Sequence, residues 1–254
     1  MSGHPPDYFS SQADVYARYR PHYPSRLFEF LASLAVTRRL AWDVATGSGQ
    51  AAVPLASYFA QVVATDLSAS QIACATPHER VAYRVEDAAR SSLPSRSADL
   101  VFVAQALHWL DLDAFYAEVR RVASPGGIFT ATSYGSATLA TPALSRAFSD
   151  FEWGTVGACW PPRRNLVGEA LRTLEFPFDE IETPEFALEV SWTLDELLGY
   201  VRSWSATSRY VKSRGEDPVP LLAGSLHAEW GDSRIRRPVR WPFIVRAGRV
   251  TSTR

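Results

Sequence analysis

The stretch that most constrains the fold is Ala41-Trp42-Asp43-Val44-Ala45-Thr46-Gly47-Ser48-Gly49-Gln50, an apolar run ending in a turn with two closely spaced glycines. A second apolar run, Val62-Val63-Ala64-Thr65, ends in Asp66. A strand, a small-residue turn, a helix and an acid closing the next strand make half of a nucleotide-binding βαβ unit. Small residues let backbone N–H groups approach a ligand, and a carboxylate accepts hydrogen bonds from two ribose hydroxyls. The turn therefore decides which nucleoside the chain can hold.

A dinucleotide cradle needs G-x-G-x-x-G, with the third glycine for close helix–strand packing. Here Ala45-x-Gly47-x-Gly49 is followed by Gln50-Ala51-Ala52, and no third glycine falls in register. Asp43, just before the turn, would repel a pyrophosphate but suits an ammonium group, directly or through water. The pattern disfavours a dinucleotide, and an NAD-dependent oxidoreductase stays as the alternative.

The rest of the first half alternates strands and helices, which predicts an α/β fold with a mostly parallel sheet. Strands are expected at 40–44, 62–65, 81–85, 98–104 and 128–133, and helices at 11–19, 26–34 (capped by Ser25), 50–58, 69–75 and 113–122. The nearly unbroken apolar run Ala98 to Ala104 is typical of a sheet covered on both faces. Pro125-Gly126-Gly127 reads as a break ahead of the fifth strand. Residues 141–174 read as mostly helical, followed by a strand at 186–190, a helix at 194–210 and a last strand at 241–245. With no internal repeat or low-complexity linker, one domain is expected. Its parts are an N-terminal helical cover (1–39), a cofactor-binding core (40–134), an insertion or lid (135–230) and a terminal strand (231–254).

Asp43-Val44-Ala45-Thr46-Gly47-Ser48-Gly49 resembles the first signature of class I S-adenosylmethionine-dependent methyltransferases, usually D-x-G-x-G-x-G. Further elements follow in order: Asp66, Glu86-Asp87-Ala88, Leu93-Pro94, Ser97 to Val101, and Arg121 to Gly127. The resemblance covers about residues 8–134 and implies a Rossmann-like seven-stranded sheet with helices on both faces and a helical insertion after strand five. It implies S-adenosylmethionine as cofactor, with Asp66 on the ribose, Leu67 beside the adenine, and Asp87 with Ala88 at the adenine amino group. Gln105-Ala106-Leu107-His108-Trp109 and Tyr19-Arg20-Pro21-His22-Tyr23-Pro24 are similar to signatures of a narrower part of the type 11 group, the proteins related to trans-aconitate methyltransferase. That likeness places Arg20 at the methionyl carboxylate, which a planar guanidinium can bind through both oxygens.

The expected cofactor set is Arg20, Asp43, Ala45, Gly47, Gly49, Asp66, Leu67, Asp87, Ala88 and Gln105, with Gln105 ending strand four near the sulfonium. His108 reads equally as a general base or as a loop-bracing residue, since methyl transfer to a carboxylate needs no base. Tyr23, Trp109 and Arg209 are candidate substrate contacts, although a solvated arginine is the default for Arg209. Trp153, Trp160, Trp192 and Trp204 read as core and lid packing before substrate stacking.

Composition narrows the partners. The net charge of −1 gives no general electrostatic case for nucleic acid or an acidic membrane. No apolar run reaches membrane-spanning length. The first residues lack a basic region followed by an apolar core, so no signal peptide is expected. The two cysteines, Cys74 and Cys159, have no metal-ligand spacing, which suits a cytoplasmic protein without a metal site. The expected activity is methyl transfer to a small molecule, a carboxylic acid by resemblance. A non-catalytic S-adenosylmethionine-binding domain is the second alternative. Oligomeric state and acceptor identity stay open.

Overall fold

The computed structural model describes residues 19–162 and 167–251. A seven-stranded sheet runs in the order β3-β2-β1-β4-β5-β10-β7. Its strands are β1 (Leu40–Val44), β2 (Gln61–Asp66), β3 (Val81–Val85), β4 (Ala98–Ala104), β5 (Ala123–Tyr134), β7 (Asp179–Ile181) and β10 (Phe243–Arg249). β1 to β5 pair in parallel, and β10 runs antiparallel to both β5 and β7. Strand order reverses between β1 and β4, so a crevice opens at their carboxyl ends, where open α/β sheets bind ligands.

Alternation along the strands gives the sheet two apolar faces. Ala41, Leu100, Phe102 and Ile128 pack on one side with Leu27, Phe28 and Leu31 of helix α1 (Ser25–Leu34). Trp42, Val44, Val101, Val103 and Phe129 pack on the other with Phe115, Tyr116 and Val119 of helix α4 (Leu112–Val122). Two ties lock the ladder from inside. The Trp42 indole donates to Thr65 Oγ1 at 2.9 Å, and the buried Asp99 accepts from the backbone of Arg39 and from Ser124 Oγ.

A second core holds the insertion. It joins helices α5 (Pro142–Ser149), α6 (Leu194–Arg202), α7 (Ser205–Arg214) and α8 (Val219–Trp230) to a three-stranded sheet in the order β6-β9-β8. Those strands are β6 (Thr138–Leu139), β8 (Leu188–Trp192) and β9 (Arg237–Trp241). Thr193 and Glu196 form a reciprocal capping box that starts α6.

Several local expectations are corrected. The helix after the glycine turn shrinks to α2 (Ala52–Leu55), with Pro54 in its first turn, and the chain beyond tightens as the N–H groups of Ala56, Ser57 and Tyr58 donate three residues back to Val53, Pro54 and Leu55. The next helix, α3 (Ala69–Ala73), is likewise short. Ser25 lies inside α1, and Pro24 holds the cap position. Pro125-Gly126-Gly127 does not lie ahead of the fifth strand but within it, since β5 already starts at Ala123. It forms an irregularity inside β5, with Gly126 at φ +77°. Residues 194–210 split into α6 and α7 at Ser203–Trp204, where Trp204 is extended. The terminal segment holds two strands, not one: β9 joins the lid sheet and β10 the main sheet, on either side of Pro242. The strands β6 and β7 and the helix α8 were not anticipated from sequence. The expected helix at 11–19 lies outside the described residues except for Tyr19.

Candidate active site

The turn between β1 and α2 carries the backbone that the sequence pattern requires. Ala45, Gly47 and Gly49 all have positive φ, at 51°, 58° and 84°. For Ala45 that region costs roughly 1–2 kcal/mol, strain of a kind that collects at functional sites. Gly49 is needed for a second reason: a Cβ there would stand 2.3 Å from the Tyr83 hydroxyl. Tyr83, on β3, donates to Thr76 O at 2.9 Å and closes one wall of the turn, a role sequence patterning did not reveal. Ser48 Oγ and Gln50 Nε2 are buried without a hydrogen-bond partner among the described residues. Buried polar groups of this sort are rare unless something else satisfies them, so the turn offers polar atoms to a ligand.

Asp66 ends β2 as expected. One carboxylate oxygen accepts from Gly47 N and the other from Ser68 N, both at 2.8 Å. Ser68, not Asp66, caps α3 by accepting from Gln71 N. Leu67 beside it is 45% exposed, and Ala88 on the next loop is buried. Asp87 is exposed, and one of its carboxylate oxygens accepts from Ala89 N at 2.9 Å. An acid, an exposed leucine and a second acid are thus presented along the ends of β2 and β3. This arrangement fits a ribose and an adenine, and the unsatisfied turn atoms fit the amino-acid end of the same nucleoside.

Asp43 is 1% exposed and hydrogen-bonded by the Thr46 hydroxyl. Burial is the main cause that pushes its carboxyl up to about 7; Asp66's charge adds to this, against the Thr46 and Ala52 hydrogen bonds. The folded protein therefore holds a proton here that the unfolded chain releases near pH 4. Stability must fall as pH rises from about 4 to 7. Asp43→Asn is expected to be more stable than the parent at pH 8, by on the order of 2 kcal/mol, with the gap closing at pH 4. Calorimetric melting at both pH values checks this; a constant gap would show that Asp43 ionises normally.

The second half of the site lies past β4. Gln105 leaves that strand at φ +57°, and its side chain bonds Tyr134 O and Ser133 Oγ, each at 3.4 Å. His108 is buried and packs on Trp109, ring centroids 4.7 Å apart. Arg20 donates to the Tyr134 hydroxyl at 3.4 Å and to Ser203 O at 3.3 Å, and its guanidinium lies over the Tyr200 ring. Arg20, Gln105, His108 and Trp109 line one cavity, partly open to solvent. Tyr134, Tyr200, Trp160 and Trp204 supply its lid side.

Two candidate substrate contacts are not in this cavity. Tyr23 packs among Phe28, Phe102 and Phe243, between α1 and the sheet. Arg209 is exposed on α7 and lines no part of the cavity. Of the four tryptophans read as packing, Trp160 and Trp204 also face the cavity, Trp192 lies against Tyr200 and Trp241, and Trp153 is exposed. Tyr134 and Tyr200 could not be found by motif, because they meet Arg20 only through the fold.

Comparison with known proteins agrees with the geometry. Residues 42–131 match the family described as a methyltransferase domain. A protein of Dictyostelium discoideum named as a methyltransferase is 31% identical over 236 residues, spanning 90% of each chain. A solved structure from Anaeromyxobacter dehalogenans, described as a type II methyltransferase, is 41% identical with a TM-score of 0.84, covering 92% of this chain and all of that one. A solved methyltransferase from Anabaena variabilis, 17% identical with a TM-score of 0.53, covers 88% of this chain and 98% of that one and shows the shared fold alone. The oxidoreductase and non-catalytic alternatives fall away: this chain belongs to the class I S-adenosylmethionine-dependent methyltransferases.

Proposed function

We propose that the methyl acceptor is a small carboxylic acid bound in the cavity past β4. One observation carries this reading: the Arg20 guanidinium lines the cavity and lies over the Tyr200 ring on its wall. A cation in a partly closed cavity rich in aromatic rings favours an anion and disfavours an amine. S-adenosylmethionine supplies, when bound, an electrophilic methyl group on a sulfonium.

On the donor side, Asp66 would hold the ribose, Leu67 and Ala88 the adenine faces, and Asp87 the adenine amino group. Ala45, Gly47 and Gly49 keep the backbone clear, and Gln105 presents its amide where β4 ends. Asp43 would face the donor's ammonium. On the acceptor side, His108 stands ready to take a proton only if the nucleophile is a hydroxyl; a carboxylate needs none. Alignment and exclusion of water then dominate the rate.

The Asp43 role has a thermodynamic signature. An ammonium placed against a carboxyl that titrates near pH 7 lowers its pKa, so binding releases a proton. S-adenosylhomocysteine titrated at pH 7 in buffers of different ionisation enthalpy should release roughly half a proton, and Asp43→Asn none. Equal release by both would remove Asp43 from the donor site. The acceptor class is tested by incubating the protein with methyl-labelled S-adenosylmethionine and carboxylates, amines, protein or nucleic acid. Label is expected in base-labile methyl esters; label in protein or nucleic acid would overturn the small-molecule reading.

A further inference from the structure

The cavity past β4 is more specific than a cation among aromatic rings. The partners of Arg20, namely the Tyr134 hydroxyl, Ser203 O and the Tyr200 ring, belong to the end of β5 and to the lid around α6. No residue of the 43–49 turn, nor Asp66 or Leu67, lines the cavity that Arg20 enters. The side chain is thus built into the acceptor wall, although its sequence motif associates it with the donor. A close packing contact holds it there. A Cβ on Gly199 of α6 would meet the ring of Tyr19, next to Arg20, at 2.5 Å, so the N-terminal segment lies directly on the lid helix.

Two indoles on the cavity's lining are held in place by their neighbours. Trp109 leans on the buried His108 ring at 46°. Trp160 packs on Trp204 with centroids 5.3 Å apart, and its indole N–H donates to Glu152 O at 3.0 Å. Both Trp109 and Trp160 are half-buried, so part of each indole faces the cavity. Indoles held this way pair with another planar ring through offset or edge contacts, and flexible aliphatic chains gain less from them.

We propose that the acceptor is a carboxylic acid bearing an aromatic ring, with the ring against Trp109 and Trp160 and the carboxylate read by Arg20. Arg20 then serves the acceptor and not the donor. This rests on the methyl-transfer reading above. A carboxylate oxygen forms the new O–CH3 bond as the S–CH3 bond breaks. The bonding pair returns to sulfur, leaving a neutral thioether and a methyl ester, and no proton is transferred.

The test separates donor from acceptor. S-adenosylhomocysteine binding is measured by calorimetry for the intact protein, Arg20→Gln and Trp160→Leu. Phenylacetate, phenylacetamide and hexanoate are then titrated into the S-adenosylhomocysteine complex by tryptophan fluorescence and assayed for methyl transfer. Phenylacetate is expected to have a KM at least about tenfold below hexanoate, with phenylacetamide not methylated. Arg20→Gln should raise the phenylacetate KM about 30-fold and leave S-adenosylhomocysteine affinity within about threefold, which also shows that the variant folds. Trp160→Leu should weaken phenylacetate while leaving hexanoate unchanged. Preference for hexanoate, turnover of the amide, or no turnover of any probe overturns the proposal. So does a loss of S-adenosylhomocysteine affinity in Arg20→Gln with acceptor binding intact. Failure of the intact protein to bind S-adenosylhomocysteine would instead sink the donor assignment beneath it.

Discussion

Asp66→Ala is expected to weaken S-adenosylhomocysteine binding by about 100-fold. The carboxylate accepts from Gly47 N and Ser68 N at 2.8 Å each, so it shapes the turn, and in the proposed donor site it also meets the ribose. Hydrogen bonds to a charged acceptor contribute about 1.5–3 kcal/mol each, and losing a pair on the ligand side accounts for about two decades in affinity. The fold should survive, because Asp66 is only half-buried and its partners are backbone groups near solvent. Asp66→Asn keeps one carbonyl acceptor and should fall between the two. Calorimetric titration decides the matter; equal affinity in Asp66→Ala and the parent would show that the nucleoside is held elsewhere.

Gly49→Ala is expected to lower both stability and cofactor affinity. The new Cβ would lie 2.3 Å from the Tyr83 hydroxyl and 2.9 Å from a ring carbon, on a residue already at φ +84°. The left-handed backbone costs about 1–2 kcal/mol for a non-glycine residue. Moving Tyr83 sacrifices its bond to Thr76 O, about 1 kcal/mol more. A total near 3 kcal/mol should appear as a clear drop in Tm. Tyr83→Ala in the same chain should recover the steric part and leave the backbone part, so a double-mutant cycle separates the two. Gly224→Ala is the control. That glycine sits on the exposed face of helix α8 with nothing within 4 Å of a new Cβ, and the change should raise stability by about 0.5–1 kcal/mol. Equal effects at Gly49 and Gly224 would refute the packing account.

Much of the core was legible because its signals are local. Strands β1, β3 and β4 fall where apolar runs and their ends placed them, and the glycine turn has the positive φ values its residues imply. Asp43 and Asp66 were legible as a pair for the same reason, one next to the end of β1 and the other closing β2 in one βαβ unit. The lid was not legible in this way. Its helices α6 and α7 share one continuous apolar pattern, and the break at Ser203–Trp204 comes from Trp204 packing against Phe148 and Trp160. Strand β7, Asp179-Glu180-Ile181, carries too much charge to look like a strand and exists because β10 offers it an edge. Tyr23 shares a motif with Arg20, yet its ring turns into the Phe28–Phe102–Phe243 cluster while Arg20 turns to the lid.

The sequence by itself determined the nucleoside class and the sheet that presents it. Both depend on backbone conformation and on residues close together in the chain. Tertiary structure alone decided the cavity past β4, where Arg20 meets Tyr134 and Ser203 across 114 and 183 positions. Contacts at that separation are set by how the lid packs on the sheet, and no local pattern encodes them.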